Sequence, residues 1–425
     1  MSKLERESIG KYIKVLTDYH SNGSYETLKD NITLLREKDY AIMIRTLNFE
    51  RDDFKDDLIY VDKKAYEYLT KSKVQPNDIL TNKIANPGSI YIMPDLECHV
   101  TCGMNLFLIR FSNDVNQRYM YYCMKNSEAY IKSFAHGTTT KTITKDEVKS
   151  IDLLIHTDRR EQDKIEHLLT SIDKKIELNK KINDNLAYQL KDIYNYWFNQ
   201  FDFPHNDKHQ YKADGGLMIW NDKIKRKIPA GWEIKSFGEL CSLRNGINYD
   251  KSVEGDKMYR IINVRNISSS DLILNENDLD EISLPQKQGN KYCVSENSII
   301  VARSGIPGAT RILQKPSSNI IFCGFIICCT PCDDIYKYYL MFYLKQLEGS
   351  AATKTGGSIL QNVSQDTLSN LPVPIPPQSL LREFNQIVSQ SLELIHSNMQ
   401  ENTQLLKLRD WLLPMLMNGQ ATISD

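Results

Sequence analysis

The chain has 425 residues, which exceeds the size at which a single hydrophobic core keeps growing, so more than one domain is expected. Its 53 lysine and arginine residues are matched by 54 aspartate and glutamate residues, which excludes a strongly basic surface over the whole molecule. Contact with nucleic acid must therefore depend on local patches or on partner proteins.

The N-terminus is charged, and no apolar stretch approaches the ~18 residues of a membrane span. We therefore expect a cytoplasmic protein without a membrane contact. In that reducing compartment the nine cysteines are expected to be small buried hydrophobic residues, because most of them lie in apolar, strand-like runs.

A strand-rich segment comes first along the chain, and a similar one follows about half a chain later. Residues 74–80 resemble residues 294–300. Pro87 and Gly88 are matched by Pro307 and Gly308, and residues 143–146 by residues 363–366, all at one constant separation. Because order and spacing are both kept, we interpret the two segments as an internal repeat. The alternative is that two strand-rich segments align through their alternating pattern alone.

A long helix is predicted after each strand-rich segment, which favours the repeat. From Asp158 to about Phe198 the chain has neither proline nor glycine, and its residues are mostly strong helix formers. Apolar residues recur there at steps of four and three, the spacing of a heptad seam. They are Ile165, Leu169, Ile172, Ile176, Leu186, Leu190, Ile193 and Trp197.

Both seams are interrupted by two asparagines. Asn179 and Asn183 lie in the gap of the first seam, and Asn398 and Asn402 lie in the gap of the second. A buried asparagine in a coiled coil costs stability but fixes the register, so we predict that these four residues set the register of the helices. The other members of the second seam are Phe384, Val388, Ser391, Ile395, Leu405 and Leu412.

Single helices of roughly 40 residues are marginal in water unless their apolar stripe is buried. We expect the two helices to pair antiparallel within one chain, because the duplication supplies both partners. The alternative is that they are the dimerisation arms of a homodimer, which have the same heptad signature.

The predicted fold is therefore α+β, with a pseudo-two-fold internal repeat: two similar strand-rich α/β domains separated by two long antiparallel coiled-coil helices. The first domain is expected at residues 1–156 and the first helix at 157–203. Residues 204–376 are expected to hold a linker and the second domain, and residues 377–425 the second helix and a C-terminal tail.

Several segments carry a family likeness. Residues 371–377 form an apolar, proline-rich strap before the second helix, which opens with residues 382–387. Residues 172–183 of the first helix and residues 408–419 near the C-terminus complete the pattern. Together these segments resemble the specificity subunits of Type I restriction-modification systems, and the resemblance covers essentially the whole chain.

The resemblance implies two target-recognition domains, each of which reads one half of a bipartite site in double-stranded DNA. It also implies that the helices are a spacer that docks two adenine-methyltransferase subunits, and that a restriction or translocase subunit joins this assembly. Such a chain is not itself an enzyme. S-adenosylmethionine, ATP and Mg²⁺ are then expected only on the partner subunits, and this chain is expected to hold no cofactor and no metal.

Loops with hydroxyl, amide and cationic side chains are the candidates for DNA contact. Glycine lets the backbone approach phosphate, and arginine, lysine, asparagine and glutamine pair with phosphates or base edges. For any single residue, an ordinary polar surface loop is an equally good interpretation. The candidates are Asn82, Lys83, His136, Thr138, Thr139, Thr140 and Lys141 in the first copy, and Arg303, Ser304, Lys354, Thr355, Ser358, Gln361 and Asn362 in the second.

No catalytic site is predicted. The sequence has no glycine-rich cofactor turn, no phosphate loop and no Asn-Pro-Pro-aromatic motif of adenine methylation. Asp222, Glu233 and Lys235 fit a nuclease-like pattern only by chance spacing, and the cysteines near Cys328 lack a second Cys/His pair for zinc. The functional alternative is a coiled-coil scaffold or adaptor that binds no DNA.

Overall fold

A computed structural model of the chain describes residues 4–205, 209–249, 255–348, 354–355, 358–359 and 363–423. The chain divides into two compact units. Met1–Ile176 and Gln404–Asp425 form the first unit, and Glu177–Thr403 form the second. Each unit takes part of each long helix, whereas the predicted boundaries treat the helices as segments of their own, and those boundaries stay a prediction. None of the helices in the described ranges is both long enough and apolar enough to cross a membrane.

The first unit begins with a strand-rich domain that leads into the first long helix. Its strands are β1 (Leu4–Ser8), β2 (Ile13–Asp18), β3 (Ala41–Ile44), β4 (Tyr60–Val61), β5 (Lys73–Val74), β6 (Ile79–Asn82), β7 (Ile90–Ile92), β8 (His99–Cys102), β9 (Leu106–Phe111) and β10 (Asp152–His156). Its helices are α1 (Tyr25–Asn31), α2 (Thr46–Glu50), α3 (Lys63–Tyr68), α4 (Gln117–Asn126), α5 (Glu128–Lys132), α6 (Lys145–Lys149) and α7 (Arg159–Tyr194).

Two four-stranded sheets form the body of this domain. One is antiparallel, in the order β2-β9-β6-β7, and the other has the order β4-β3-β8-β5, in which β3 and β8 are parallel. The strands are rich in β-branched and aliphatic residues, and the four residues of β3 are all buried. Strand β10 pairs antiparallel with β1 in a separate two-stranded sheet.

The second unit repeats this plan after an added pair of short hairpins. Its strands are β11 (Pro204–His205), β12 (His209–Gln210), β13 (Met218–Asn221), β14 (Arg226–Pro229), β15 (Glu233–Ser236), β16 (Cys241–Asn245), β17 (Lys257–Ile262), β18 (Asp280–Leu284), β19 (Ile299–Ala302), β20 (Thr310–Ile312), β21 (Ile320–Phe322), β22 (Ile326–Pro331), β23 (Lys354–Thr355), β24 (Ser358–Ile359) and β25 (Pro372–Ile375). Its helices are α8 (Phe237–Leu240), α9 (Val264–Ser268), α10 (Gln286–Gly289), α11 (Lys337–Leu347), α12 (Gln365–Ser369) and α13 (Gln378–Met417).

The sheet topology of the second unit follows that of the first, although its mixed sheet has three strands in the described ranges where that of the first unit has four. The antiparallel sheet has the order β16-β22-β19-β20, and the other sheet has the order β18-β17-β21, with β17 and β21 parallel. Strand β25 pairs with β15 as β10 pairs with β1, although β25 carries the prolines that β10 lacks. The predicted α+β fold with an internal repeat is therefore confirmed.

The two long helices pair antiparallel, as predicted. In the second unit Asn179 of α7 bonds to Asn402 of α13, while Asn183, one turn later, bonds to Asn398, one turn earlier. In the first unit, Ile165 and Leu169 share a core with Leu416 and Met417 near the other end of α13. The pairing lies within one chain, so the helices do not need a second copy to bury their seams.

The helix seams differ in detail from the predicted heptad. Leu392 is fully buried where Ser391 was expected, and Tyr194 is more buried than its neighbour Ile193. Tyr194 packs against Phe342 and Phe384, with ring centroids 5.7 and 6.1 Å away. The shift begins at Ala187, which is buried while Leu186 is only half-buried. Helix α7 then continues into a π-helical turn at Asn195–Asn199, where Trp197 and Phe198 join the core of the second unit.

Candidate DNA interface

The first candidate surface is built by the loops that follow β6 and β8, of which β8 is parallel to β3, and by the turn before α6. We define the first loop cluster as residues 82–88, 103–105 and 136–142. Main-chain bonds join its loops: the Lys83 N–H donates to the Asn105 carbonyl (2.9 Å), and the Ile143 N–H donates to the Lys83 carbonyl (3.0 Å). The Gly88 N–H closes the turn on the Asn82 carbonyl (2.8 Å). Polar groups at the carboxyl ends of parallel strands are a common setting for ligand binding.

The second unit builds the same framework at the matching positions of the repeat. We define the second loop cluster as residues 302–308, 323–325 and Val363. The Arg303 N–H donates to the Phe325 carbonyl (2.8 Å), the Val363 N–H to the Arg303 carbonyl (2.8 Å), and the Gly308 N–H to the Ala302 carbonyl (2.9 Å). Equivalent positions in the two clusters are therefore defined by the same hydrogen bonds and not only by sequence offset.

Asn82 and Lys83 are less accessible than the sequence suggested. Asn82 is fully buried; its Oδ1 accepts from the Thr46 hydroxyl (2.8 Å), and its Nδ2 donates to Tyr91. The Lys83 ammonium bonds to Asp18 Oδ2 (2.7 Å). A direct DNA contact by either residue stays a prediction, and their burial favours a role in holding the loop.

Asp18 is the centre of an ion cluster beneath the first loop cluster. It accepts from Lys83 on one oxygen, and from Lys145 (3.0 Å) and Ser21 (2.6 Å) on the other. Burial alone would raise the pKa of Asp18, but the hydrogen bonds from Lys83, Ser21 and Lys145 outweigh it and hold this pKa well below its usual range. Asp18 therefore stays ionised and fixes both ammonium groups.

The loop at residues 136–141 is the most exposed of the predicted contacts. His136 Nδ1 lies 2.8 Å from a Glu147 carboxylate oxygen, and its main chain pairs with that of Thr142. Gly137 has a φ of +114°, and a Cβ there would lie 2.4 Å from the Thr140 carbonyl, so this turn requires glycine. Four side chains are exposed and bond to no other residue of the described ranges: Thr138, Thr139, Thr140 and Lys141.

Arg303 and Ser304 open the corresponding loop of the second unit. The Arg303 guanidinium is half-buried and donates to two main-chain carbonyls, those of Gly324 (3.2 Å) and Val363 (3.4 Å). Ser304 is also half-buried, before the left-handed turn at Gly305. In this conformation Arg303 braces the loops and does not project from them.

The remaining predicted contacts are only partly covered. Lys354 and Thr355 form β23, and Ser358 begins β24, its antiparallel partner. Gln361 and Asn362 lie outside the described residues. For these five residues the prediction of a DNA contact is unchanged.

The four predicted register residues do meet between the long helices. Asn179 Nδ2 donates to Asn402 Oδ1 (2.9 Å) and to a Glu401 carboxylate oxygen (2.7 Å), and Asn398 Nδ2 donates to Asn183 Oδ1 (2.8 Å). Asn179 is 1% exposed, and its own Oδ1 has no hydrogen-bond partner among the residues described. A helix slip would break all three bonds, which supports the predicted register role.

Sequence reasoning missed several residues of the two clusters. Asp18, which supports the first cluster from below, is distant in sequence from both Lys83 and Lys145. Two exposed positions on each framework were also missed, although the constant offset of the repeat pairs them and could have found them. They are Asn86 and Asn105 in the first cluster, and Ile306 and Phe325 in the second.

The cysteines that suggested zinc are separated by the fold. Cys328 and Cys329 are adjacent on β22 and so face opposite sides of the sheet, where they pack into two different cores. Burial raises the pKa of Cys329 well above its usual value. Over the described ranges, no three His, Cys, Asp or Glu side chains are placed to hold a metal ion. Cys98 and Cys332 are exposed, contrary to the general expectation of burial.

Comparison with known proteins also finds two copies of one unit along the chain. The family model described as "Type I restriction modification DNA specificity domain" matches twice, at residues 23–188 and 229–406. Each match begins in one strand-rich domain and ends in the long helix that follows it. The family model thus describes one repeat unit, and the chain has two of them.

Curated relatives and a solved structure resemble the whole chain. The Type I restriction enzyme MjaIX specificity subunit of Methanocaldococcus jannaschii is 25% identical over 392 residues, covering 86% of each chain. The HindI specificity subunit of Haemophilus influenzae is 25% identical over 410 residues, covering 82% of this chain and 88% of its own. The crystal structure of the Type I restriction-modification S subunit from M. genitalium shares the fold, with a TM-score of 0.55, 15% identity, and coverage of 98% of this chain and 96% of that one. The chain therefore belongs to the Type I restriction-modification DNA specificity family, as the non-catalytic specificity subunit of such a system.

Proposed function

We propose that the chain reads a bipartite target in double-stranded DNA, with one loop cluster on each half-site and the helix pair setting their separation. The observation that carries this proposal is the repetition of one main-chain framework, bond for bond, in two units that share a pair of long helices. Two similar readers joined by a stiff element select half-sites at a fixed spacing, as dimeric DNA-binding proteins do.

The proposal extends to the partners. Two adenine-methyltransferase subunits would dock on the paired helices, and a restriction or translocase subunit would join them. S-adenosylmethionine, ATP and Mg²⁺ would be bound by those subunits. The charge balance of this chain supports such a division, because a near-neutral protein gains DNA affinity when a partner completes the clamp.

A paired insertion in the helices tests the spacer. One heptad is added after Lys181 and one after Met399, facing points between the two asparagine contacts. Seven residues add about 10 Å at 1.5 Å per residue, which is about three base pairs at 3.4 Å each. We expect methylome sequencing of cells that express the variant with its methyltransferase to show unchanged half-sites and a gap longer by about three base pairs.

The matched control places the same seven residues in the exposed turn between β13 and β14, which should leave the gap unchanged. A heptad in only one helix should abolish methylation, because it leaves the seam without a partner over two turns. If the paired insertion kept both half-sites at the original gap, the helices would not be the spacer.

A further inference from the structure

The two loop clusters carry opposite chemistry at two equivalent exposed positions. Where the first cluster has Asn86, the second has Ile306, and where the first has Asn105, the second has Phe325. The first loop cluster thus exposes two amide side chains at these positions, and the second exposes one aliphatic and one aromatic side chain.

Main-chain hydrogen bonds prove that these positions correspond. The Lys83 N–H donates to the carbonyl of Asn105, and the Arg303 N–H donates to that of Phe325. The turns that carry Asn86 and Ile306 are also closed in the same way. The Ser89 N–H donates to the Asn86 carbonyl (3.4 Å), and the Ala309 N–H donates to the Ile306 carbonyl (3.0 Å). The difference between the clusters therefore lies in the side chains, since the backbone is held alike.

The apolar pair is held out to solvent. The Phe325 residue is 62% exposed and Ile306 is 39% exposed, although both belong to residue types that usually lie inside a protein. Ile306 follows Gly305, whose φ of +79° turns the chain sharply, and Phe325 follows Gly324 at the other loop. Exposed apolar residues on two turns that one main-chain framework joins point to a binding surface more than scattered ones do.

The cation beside them is already engaged. The Arg303 guanidinium donates to the Gly324 and Val363 carbonyls, so within the described loops it is the apolar groups that face outward. In the first cluster the amides of Asn86 and Asn105 are exposed and bond to no other described residue, so they can hydrogen-bond a base edge.

The major groove offers one apolar feature on its base edges, the C5-methyl group of thymine, and phenylalanine is among the side chains that contact it. We propose that Phe325 and Ile306 are specificity-determining residues that contact a thymine methyl group in the half-site read by the second loop cluster. The first cluster reads its half-site through the Asn86 and Asn105 amides instead. This inference rests on the proposed bipartite DNA reading and names the chemistry of one half-site.

Removal of the methyl group alone tests the inference. The target is first taken from the methylation pattern of the wild-type system. Binding of the assembled complex is then measured on duplexes in which each thymine of either half-site is replaced, one at a time, by deoxyuridine. We expect binding about fourfold weaker at one thymine of one half-site, the loss that a single buried methyl group gives.

The Phe325→Ala variant should bind the thymine and deoxyuridine duplexes equally at that position. Phe325→Leu, which keeps an apolar side chain, should retain the thymine preference and shows that the variants fold. The matched control, Asn105→Ala in the first cluster, should leave the ratio unchanged and weaken recognition of the other half-site.

Three results would overturn the inference. The first is that no single replacement of thymine by deoxyuridine, in either half-site, weakens binding. The second is that Phe325→Ala weakens binding to the thymine duplex and to the deoxyuridine duplex by the same factor, so that the preference for thymine is kept. That result would indicate that the ring is a wedge between base steps. The third is that Phe325→Ala releases the methyltransferase from the complex while the deoxyuridine duplex still binds more weakly than the thymine duplex. That result would indicate that Phe325 contacts a protein partner. If the wild type methylated no bipartite target at all, the proposed function would fail and not merely this assignment.

Discussion

The first loop cluster rests on the carboxylate of Asp18 and the two lysines that bond to it, whereas among the described residues the second loop cluster has no carboxylate at the equivalent position. Asp18 lies opposite Phe107 in the first unit, and Asn245 lies opposite Ile327, the counterpart of Phe107, in the second. The two lysines that bond to Asp18, Lys83 and Lys145, correspond to Arg303 and Gln365. An aspartate with two ammonium groups is thus replaced by neutral amides and one guanidinium that bonds to main-chain carbonyls.

If each loop cluster reads one half-site, as proposed, this difference explains how a duplicated domain can read two unlike half-sites. The main-chain bonds that set the position of each loop are the same in both clusters, so the framework does not depend on the local charges. The side chains on that framework are then free to differ in charge and polarity. The comparison predicts that the two clusters respond differently to the same kind of mutation.

The largest difference is expected for Asp18→Asn. The substitution removes the negative charge that holds Lys83 and Lys145, of which Lys83 is itself largely buried. Removing one partner of a buried ion pair costs about 3 kcal/mol or more, because the other charge is left uncompensated. We expect amide hydrogen exchange to rise in β2, α6 and the loop at residues 136–142, and not in the second unit.

A control substitution and a pH series test whether the loss of stability comes from the charge of Asp18. Asp280→Asn removes an exposed partner of Arg265 in the second unit and should change stability by less than about 0.5 kcal/mol. Since the folded-state pKa of Asp18 is depressed, its stabilisation is fully present above the unfolded value of about 3.9 and is lost progressively as the pH falls from there through the folded-state pKa. Wild type and Asp18→Asn should therefore converge in acid; a gap that stays constant with pH would contradict the ion-cluster account.

A smaller effect is expected at one turn that the clusters build with different residues. Gly305 has a φ of +79°, and its counterpart Ala85 has a φ of +72°. Gly305→Ala should lower the free energy of unfolding by about 1–2 kcal/mol, because a left-handed conformation is strained for alanine and its Cβ would lie 2.8 Å from Val264 Cγ1.

Ala85→Gly is the reciprocal change. It should alter the free energy of unfolding by at most about 0.5 kcal/mol, because relief of the strain is offset by the greater freedom of glycine in the unfolded chain. Hydrogen exchange of peptides that contain residues 84–89 and 304–309 measures both. Equal costs for the two substitutions would mean that the turns are not equivalent.

The fold could be predicted from the sequence because its signals are periodic and repeated. The heptad spacing and the paired Asn179 and Asn398 positions indicate two helices that bury one another, and the constant offset between matching segments indicates two copies of one domain. The shift from Ile193 to Tyr194 was not predictable, because it depends on aromatic residues such as Phe342 that are distant in sequence.

The candidate site was predictable only in part. The loops were found because they combine glycine with polar residues, but burial of Asn82 and Lys83 depends on partners from other strands. Asp18 could not be found from the sequence, since it lies at the end of an ordinary strand, far along the chain from Lys83. Phe325 looked like part of an apolar strand, and only the turn at Gly324 places it outside.

The smallest effect is expected for Lys141→Ala, which tests whether the exposed loop of the first cluster touches phosphate. Unlike Arg303 in the second cluster, Lys141 is exposed and bonds to no other described residue, so its ammonium is available. If it neutralises one phosphate, the slope of log K against log salt for the assembled complex should fall in magnitude by about 0.9.

Lys227→Ala, at an exposed position of β14, is the matched control and should leave the slope unchanged. A Lys141→Ala slope equal to that of wild type would remove this loop from the phosphate contacts, and Lys354→Ala is the same measurement in the second copy. A reduced slope for one of the two lysines alone would extend the contrast between the clusters from base reading to backbone contact.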